Sequence, residues 1–285
     1  MVRSTPKAMA LGAMIKAARE RVSPRLSQRA LEKRLGLGVG QVSRIESGER
    51  PPDPELTDTI LTALGVTGPD RDRALALAQD DPGADGGGSA WLAVGIPAQR
   101  DQLDALLQIE QQSIQITEVS PLVVPGLLQV GSYTRSIMRS GGVPESSIET
   151  RVAIRMGRRD VLTRANPVRF TAFVGDQVLR QQFGGPDVMR EQLEHLLKMA
   201  ALPNVDLRFF DLDQHWHAGH AGAFTVLQLT NSKSVIHLEF QASGLFVEQP
   251  EQVEAFTSAV EKVTEVSASA DQTSALITDA LRHIE

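Results

Sequence analysis

Ser27 to Gly48 reads SQRALEKRLGLGVGQVSRIESG, and its spacing is that of a helix, a tight turn and a second helix. Ser27 is placed as an N-cap, since its hydroxyl can accept from an orphan backbone N–H of the first turn. Gln28 to Leu35 is built from strong helix formers. Gly36 stops that helix, because glycine enters the left-handed position after a helix without a Cβ penalty. The second helix is predicted from about Val39 to Glu46, with Gly48 ending it in the same way. Leu31, Leu35, Leu37, Val42 and Ile45 then supply one apolar stripe per helix and one anchor in the turn, as two short helices crossing over a shared core require.

Outward from this stretch the chain continues helical on both sides. Lys7 to Arg21 carries Leu11, Met14, Ile15 and Ala18 on one face, and the turn Val22-Ser23-Pro24-Arg25 ends it. Pro51-Pro52-Asp53-Pro54 breaks the chain, and Glu55 to Leu64 resumes as a helix closed by Gly65. Pro69 stands near the start of a fifth helix that runs to about Gln79. The net charge of the whole chain is −6. Its distribution is uneven: residues 1–50 hold 11 Lys/Arg against 4 Asp/Glu, a balance of +7, and the rest carries −13. A basic head on an acidic body suits a protein that offers phosphate one surface only.

The helix-turn-helix stretch resembles that of the phage-repressor-like (Xre) family. Gly36 is the ninth residue from Gln28, and Ser43-Arg44-Ile45-Glu46-Ser47-Gly48-Glu49-Arg50-Pro51 is similar to that family's usual exit. Five short helices in the first 79 residues match its fold. Glu32 departs from the pattern. It stands where a small residue normally lets the two helices approach, so its side chain either swings to solvent or widens the crossing. The resemblance implies binding to double-stranded DNA with the second helix in the major groove. Val39, Gly40, Gln41, Ser43 and Arg44 then face base edges: Gln41 suits adenine, Arg44 guanine or phosphate, and Val39 a thymine methyl. Gln28 stands at a helix N-terminus for a phosphate, and Arg29, Lys33 and Arg50 are backbone contacts. One such reader spans a few base pairs, so a homodimer on half-sites about 34 Å apart is expected.

Asp80 to Ala90, DDPGADGGGSA, has the composition of a flexible linker. The chain therefore divides into a helix-turn-helix domain at 1–79, a linker at 80–90 and a second domain at 91–285. In that domain Gln102 to Ile116 reads as a helix with Leu103, Leu106, Leu107, Glu110 and Ile114 on one face. Ser132 to Arg139, Glu145 to Thr163, Val188 to Ala201, Pro250 to Ala268 and Asp271 to Ile284 are further helices. Val168 to Gly175, Val205 to Asp211, Phe224 to Leu229 and Val235 to Phe240 are strands, the last two joined at Thr230-Asn231-Ser232-Lys233. The fold class expected is an all-α five-helix domain followed by an α+β domain with a mainly antiparallel sheet.

A second resemblance covers Trp91 to His283. It rests on Glu110, Val124-Pro125-Gly126-Leu127-Leu128-Gln129 with Tyr133, and Arg155-x-x-Arg158-Arg159-x-x-Leu162. Val188-Met189-Arg190-Glu191-Gln192-Leu193, Pro203-Asn204-Val205, Gly222-Ala223-Phe224 and Glu239 complete it. In this order they look like the C-terminal domain of actinobacterial Xre regulators, the WhiJ-like group among them, often encoded beside a small acidic partner protein. Asp176 and the pair Arg159-Asp160 depart from that pattern. The resemblance supplies no chemistry. Glu110, Gln129, Tyr133, Arg155, Arg158, Arg159, His217 and Glu239 are its candidate ligand or partner site, with an internal pair between Glu110 and one of the arginines as the plainer reading.

His215-Trp216-His217-Ala218-Gly219-His220 has the spacing H-x-H-x-x-H, and His237 or Glu239 could complete a metal site. That spacing in a glycine-containing loop fits a polar loop better than a zinc site, and no metal or other cofactor is expected. No G-x-S-x-G elbow or P-loop occurs, so the chain does not read as an enzyme. The absence of cysteine excludes disulfides and thiolate chemistry and is consistent with the cytoplasm. No run of 18 apolar residues predicts a membrane span, and nucleoid association is the expected location. The functional expectation is a sequence-specific transcriptional regulator, a repressor, whose second domain dimerises and receives a small-molecule or partner-protein signal. The alternative is an antitoxin-like protein that sequesters a small partner and binds DNA for autoregulation.

Overall fold

The computed structural model describes residues 6–79, 91–94, 96–230, 233–239 and 243–284. The expected linker, Asp80 to Ala90, lies outside the described residues, as do Asn231 and Ser232 of the expected turn. In chain order the elements begin α1 (Pro6–Arg21), α2 (Gln28–Leu35), α3 (Gln41–Glu46), α4 (Pro54–Ala63) and α5 (Pro69–Ala78). Next come β1 (Trp91–Val94), α6 (Ile96–Gln112), β2 (Ser113–Ser120), α7 (Gly131–Ser140), α8 (Glu145–Arg158), α9 (Asp160–Thr163) and β3 (Arg169–Gly175). The chain continues through α10 (Pro186–Ala200), β4 (Val205–Phe210), β5 (Phe224–Leu229), β6 (Ser234–Glu239), β7 (Ser243–Val247), α11 (Pro250–Val266) and α12 (Ala270–Arg282). Two compact units result: Met1–Gln112 with Glu239–Pro250, and Ser113–Leu238 with Glu251–Glu285.

The first unit is helical, with a short antiparallel β1–β7 pair in which Trp91 stands opposite Phe246. Its helix ends follow the local signals. The Ser27 hydroxyl accepts from Ala30 N at 3.2 Å, and Gly36 takes the left-handed conformation at φ 67°. Asp53 caps α4 by accepting from Leu56 N at 2.7 Å. Leu11, Ile15, Leu31, Val42, Ile45, Ile60, Leu61 and Ala74 are buried in one core, with Leu35 and Leu37 packed at its margin. Helix α3 is shorter than predicted. Gly40, at φ 77°, is its N-cap, and Val39 and Gly40 belong to the turn, because an L-residue helix cannot run through a left-handed position. Helix α6 packs along α1, burying Ala105 and Ile109 completely.

The second unit is built on the strand order β6-β5-β2-β3-β4. Strand β2 runs parallel to β3, and β3 parallel to β4. The β2–β5 and β5–β6 pairs are antiparallel. The sheet is thus mixed, and its parallel half has a plain cause. Helices α7, α8 and α9 lie in the chain between β2 and β3, and α10 lies between β3 and β4, which supplies the long crossovers that parallel neighbours need. Between β5 and β6 the chain has four residues, too few for a crossover, so that pair is antiparallel. At the β4 edge, the Phe209 carbonyl accepts from Ala268 N at 2.8 Å and α12 packs on β4 and α10.

Strand β2 corrects the sequence reading. The helix expected to run to Ile116 ends at Gln112, and a strand begins at Ser113 without an intervening loop. Ile116 and Val119 are fully buried, whereas Ile114 is 41% exposed. The register shifts between Ser113 and Gln115, and this irregularity turns Ile114 away from the face that Ile116 buries, which breaks the period-2 pattern a strand would show in the sequence. Two strands distant in sequence, β3 and β5, supply its hydrogen bonds. Strands β1 and β7 were likewise absent from the sequence reading.

Candidate nucleic-acid interface

The exposed turn and helix combine two kinds of residue. Val39 is 79% exposed at the turn before α3, and Ser43 and Arg44 are exposed along the helix. Gln41 is half-buried, its Oε1 accepting from Gly38 N at 3.2 Å. The Arg44 Nε donates to the Gly40 carbonyl at 3.2 Å, which leaves the two terminal amino groups of the guanidinium fork for a base or phosphate. Single bonds at an exposed turn exchange readily with water or DNA, since each contributes only about 1 kcal/mol net. Arg29, Lys33 and Arg50 are exposed. Gln28 is different: its Nε2 donates to Glu46 Oε2 at 2.7 Å, so it anchors α2 to the end of α3.

Behind this face lies a buried ion pair that the sequence reading missed. Arg19 Nε and Nη2 donate to the two oxygens of Glu46 at 2.6 and 3.0 Å. Arg19 Nη1 donates to the Leu26 carbonyl at 2.8 Å. The hydrogen bond to Glu46 outweighs the cost of burial and raises the Arg19 pKa above its ordinary value. The fork-to-fork geometry ties α1, the turn before α2 and α3 into one block. A signal was present: Arg19 stands four residues after Ile15 and eight after Leu11, on the apolar stripe of α1, where a charged group needs a partner.

Glu32 neither swings to solvent nor stands idle in the crossing. It is 5% exposed, and its Oε1 accepts from Val42 N at 3.2 Å. Val42 is the second residue of α3, whose N-cap glycine has no side chain to offer. The carboxylate therefore replaces the missing cap and suits the positive end of the helix. Close helix approach is achieved elsewhere. A Cβ on Gly12 would lie 2.5 Å from the Ile45 carbonyl oxygen and 2.7 Å from that of Glu46, so α1 meets the end of α3 backbone to side. Two glutamines of α6 finish that end. Gln108 Nε2 donates to the Glu46 carbonyl at 3.3 Å and Gln112 Nε2 to the Ser47 carbonyl at 3.2 Å, satisfying acceptors that a helix C-terminus leaves open.

A family model described as a helix-turn-helix domain matches residues 10–74. A second, described as a domain of unknown function (DUF5753), matches residues 103–279, more than half of the chain. The chain belongs to the DUF5753 family. With its helix-turn-helix domain it is a DNA-binding regulator. No curated protein matches it.

Within the DUF5753 region the candidate residues are distributed over both units. Glu110 is buried on α6 in the first unit. Gln129, Tyr133 and Arg155 come together in the second, around the segment after β2. Gln129 Nε2 donates to the Val124 carbonyl at 2.7 Å, and its Oε1 accepts from Thr134 Oγ1 at 2.9 Å and Arg155 Nη1 at 3.1 Å. Tyr133 is fully buried and its hydroxyl oxygen accepts from Val124 N at 3.3 Å. Burial pushes its phenol up to about 12, against the smaller opposing effect of that bond. Gln192, also fully buried, accepts from Val130 N and donates to the Leu128 carbonyl, both at 2.8 Å. These side chains hold the irregular backbone of Val124–Val130, which has few partners of its own.

Arg158 lies over Gly126 of the same segment. Arg159 Nη1 donates to His195 Nε2 at 3.2 Å. Burial first, and the Arg159 charge second, lower the His195 pKa below the ordinary imidazole value. The histidine loop is a turn held by its own rings. His217 is buried; its Nδ1 accepts from Gly219 N at 3.1 Å and its Nε2 faces the Asp211 carbonyl at 3.1 Å. The Nδ1 of His220 accepts from His217 N at 3.2 Å and its Nε2 faces the Leu212 carbonyl at 3.1 Å. Both rings thus carry their hydrogen on Nε2, with each nitrogen engaged by the backbone. His215 and Glu239 are exposed, and His237 is buried. Among the described residues no group of three histidine or carboxylate side chains could hold a metal ion, and no helix is long and apolar enough to cross a membrane.

Proposed function

We propose that this chain is a sequence-specific transcriptional regulator of the Xre type, acting as a homodimeric repressor at the nucleoid. In this reading the DUF5753 domain carries the dimer contact and receives a small-molecule or partner-protein signal. One observation carries the proposal: the reading helix is locked from behind and open in front. The Arg19–Glu46 pair and the Glu32 cap fix α3, while Val39, Ser43 and Arg44 are exposed, in a segment whose first 50 residues carry +7. Preorganised donors on the exposed face of a short helix, within a basic segment, read base edges at low ordering cost.

Footprinting of the purified protein upstream of its own coding region identifies the operator. Gln41→Ala and Arg44→Ala are then each expected to reduce preference for that operator over random DNA by about 5- to 100-fold, the loss of one base contact of 1–3 kcal/mol. If both variants keep the wild-type preference, α3 is not the reader.

A further inference from the structure

Helix α3 ends on Glu46, and three other helices meet that residue. Its carboxylate accepts from Arg19 of α1 and Gln28 of α2. Its carbonyl accepts from Gln108 of α6. The first two helices lie within the matched helix-turn-helix domain, residues 10–74, as far as these contacts go. Gln108 lies in the matched DUF5753 region instead.

The backbone bonds at this end show what α6 supplies. The carbonyls of Ser43, Arg44 and Ile45 accept from the N–H groups of Ser47, Arg50 and Gly48 at 2.9, 3.0 and 3.0 Å. The segment thus closes its own end as far as Ile45. The next two carbonyls, those of Glu46 and Ser47, accept from the side chains of Gln108 at 3.3 Å and Gln112 at 3.2 Å. Gln108 and Gln112 stand one turn apart on one face of α6, next to Ala105 and Ile109, which are fully buried. The Gln108 Oε1 is buried and accepts no bond among the described residues. A methionine of similar size would leave no such oxygen open, so what the amide adds at this position is its donation to Glu46.

We propose that Gln108 and Gln112 are positioning residues for DNA binding. They act through α3, whose end they hold, and the DNA-binding unit of this chain extends beyond the helix-turn-helix match to include α6. The inference rests on the DNA-binding reading above. Bonds to base edges need α3 held closely in register, whereas flexible arginine and lysine side chains reach phosphates from a helix that moves. Loosening the end of α3 therefore weakens operator binding and spares binding to random DNA.

The test uses the full chain with the footprinted operator duplex and a scrambled duplex of equal length, by fluorescence anisotropy at one salt concentration. The double variant Gln108→Met/Gln112→Met keeps side-chain volume and removes both donors. Its operator affinity is expected to fall about tenfold while its affinity for the scrambled duplex stays at the wild-type level. Placing Gln112→Lys in that variant instead of Gln112→Met puts one donor back and should recover part of the preference. In the absence of DNA, hydrogen exchange at Ser47 N and Gly48 N should be several-fold faster in the double variant; unchanged exchange would mean that the glutamines do not hold α3, and overturns the proposal. Equal loss on both duplexes marks general damage to the fold and overturns it too. If the double variant keeps the wild-type preference while Gln41→Ala loses it, the positioning role falls and the DNA reading stands. Wild-type protein without preference for any duplex overturns both.

Discussion

Glu32 shows how one residue changes meaning between sequence and structure. In the sequence it is a bulky acid where two helices cross. In the fold it is the missing N-cap of α3, accepting from Val42 N across the turn. Glu32→Leu, which removes the acceptor and keeps the volume apolar, is expected to lower unfolding free energy by about 1 kcal/mol. Glu32→Gln, which keeps a carbonyl oxygen, should lose less than half of that. Urea denaturation of the two variants decides it, and a Glu32→Leu chain as stable as wild type would mean the bond contributes nothing. Tyr133 offers a spectroscopic check of the second unit. It is the one tyrosine of the chain, and its phenol is pushed up to about 12 by burial. A raised acid pKa favours the neutral form in the folded state. Stability linked to it is therefore complete below the ordinary value near 10 and falls as pH rises from there towards about 12. Tyrosinate absorbance should appear near pH 12 in native protein and near pH 10 in urea; a native transition at pH 10 would contradict the burial.

At the scale of elements, helix propensity and helix packing make opposite predictions for Gly12. Replacing a glycine inside a helix by alanine ordinarily stabilises by about 1 kcal/mol. Here the new Cβ would meet the carbonyl oxygens of Ile45 and Glu46 at 2.5 and 2.7 Å. Those are backbone atoms of α3, and they yield only if that helix moves. Overpacking of this kind costs about 1–3 kcal/mol, so Gly12→Ala is expected to lower the unfolding temperature and weaken DNA binding together. A raised unfolding temperature would show that α1 and α3 separate freely. The ends of α2 were legible because Ser27 and Gly36 act on their immediate neighbours, whereas α4 begins one residue earlier than expected, at Pro54, with Asp53 as its cap. The Gln129 and Gln192 networks were not legible, since Gln192 reaches Leu128 and Val130 from a helix more than 60 residues away. Nor was the strand state of β2.

For the whole molecule, charge and symmetry set the expectations. In the proposed reading, a first segment of +7 on a chain of −6 attracts DNA to the helix-turn-helix. The proposed dimer predicts a footprint with two protected patches about 10 base pairs apart centre to centre, and twice the chain mass in sedimentation with DNA absent. A single protected patch with a monomeric sedimentation value would sink it. What the sequence by itself determined was the helix-turn-helix with the caps of α2, the helical frame around it, the charge split and the α+β class of the second domain. These depend on contacts between residues a few positions apart, or on composition. What only the tertiary structure decided was how α3 is held: the Arg19–Glu46 lock, the Glu32 cap, the close approach at Gly12 and the packing of α6 on α1. Each joins groups from different helices, and no local pattern in the chain records which distant partner satisfies a buried charge or an open helix end.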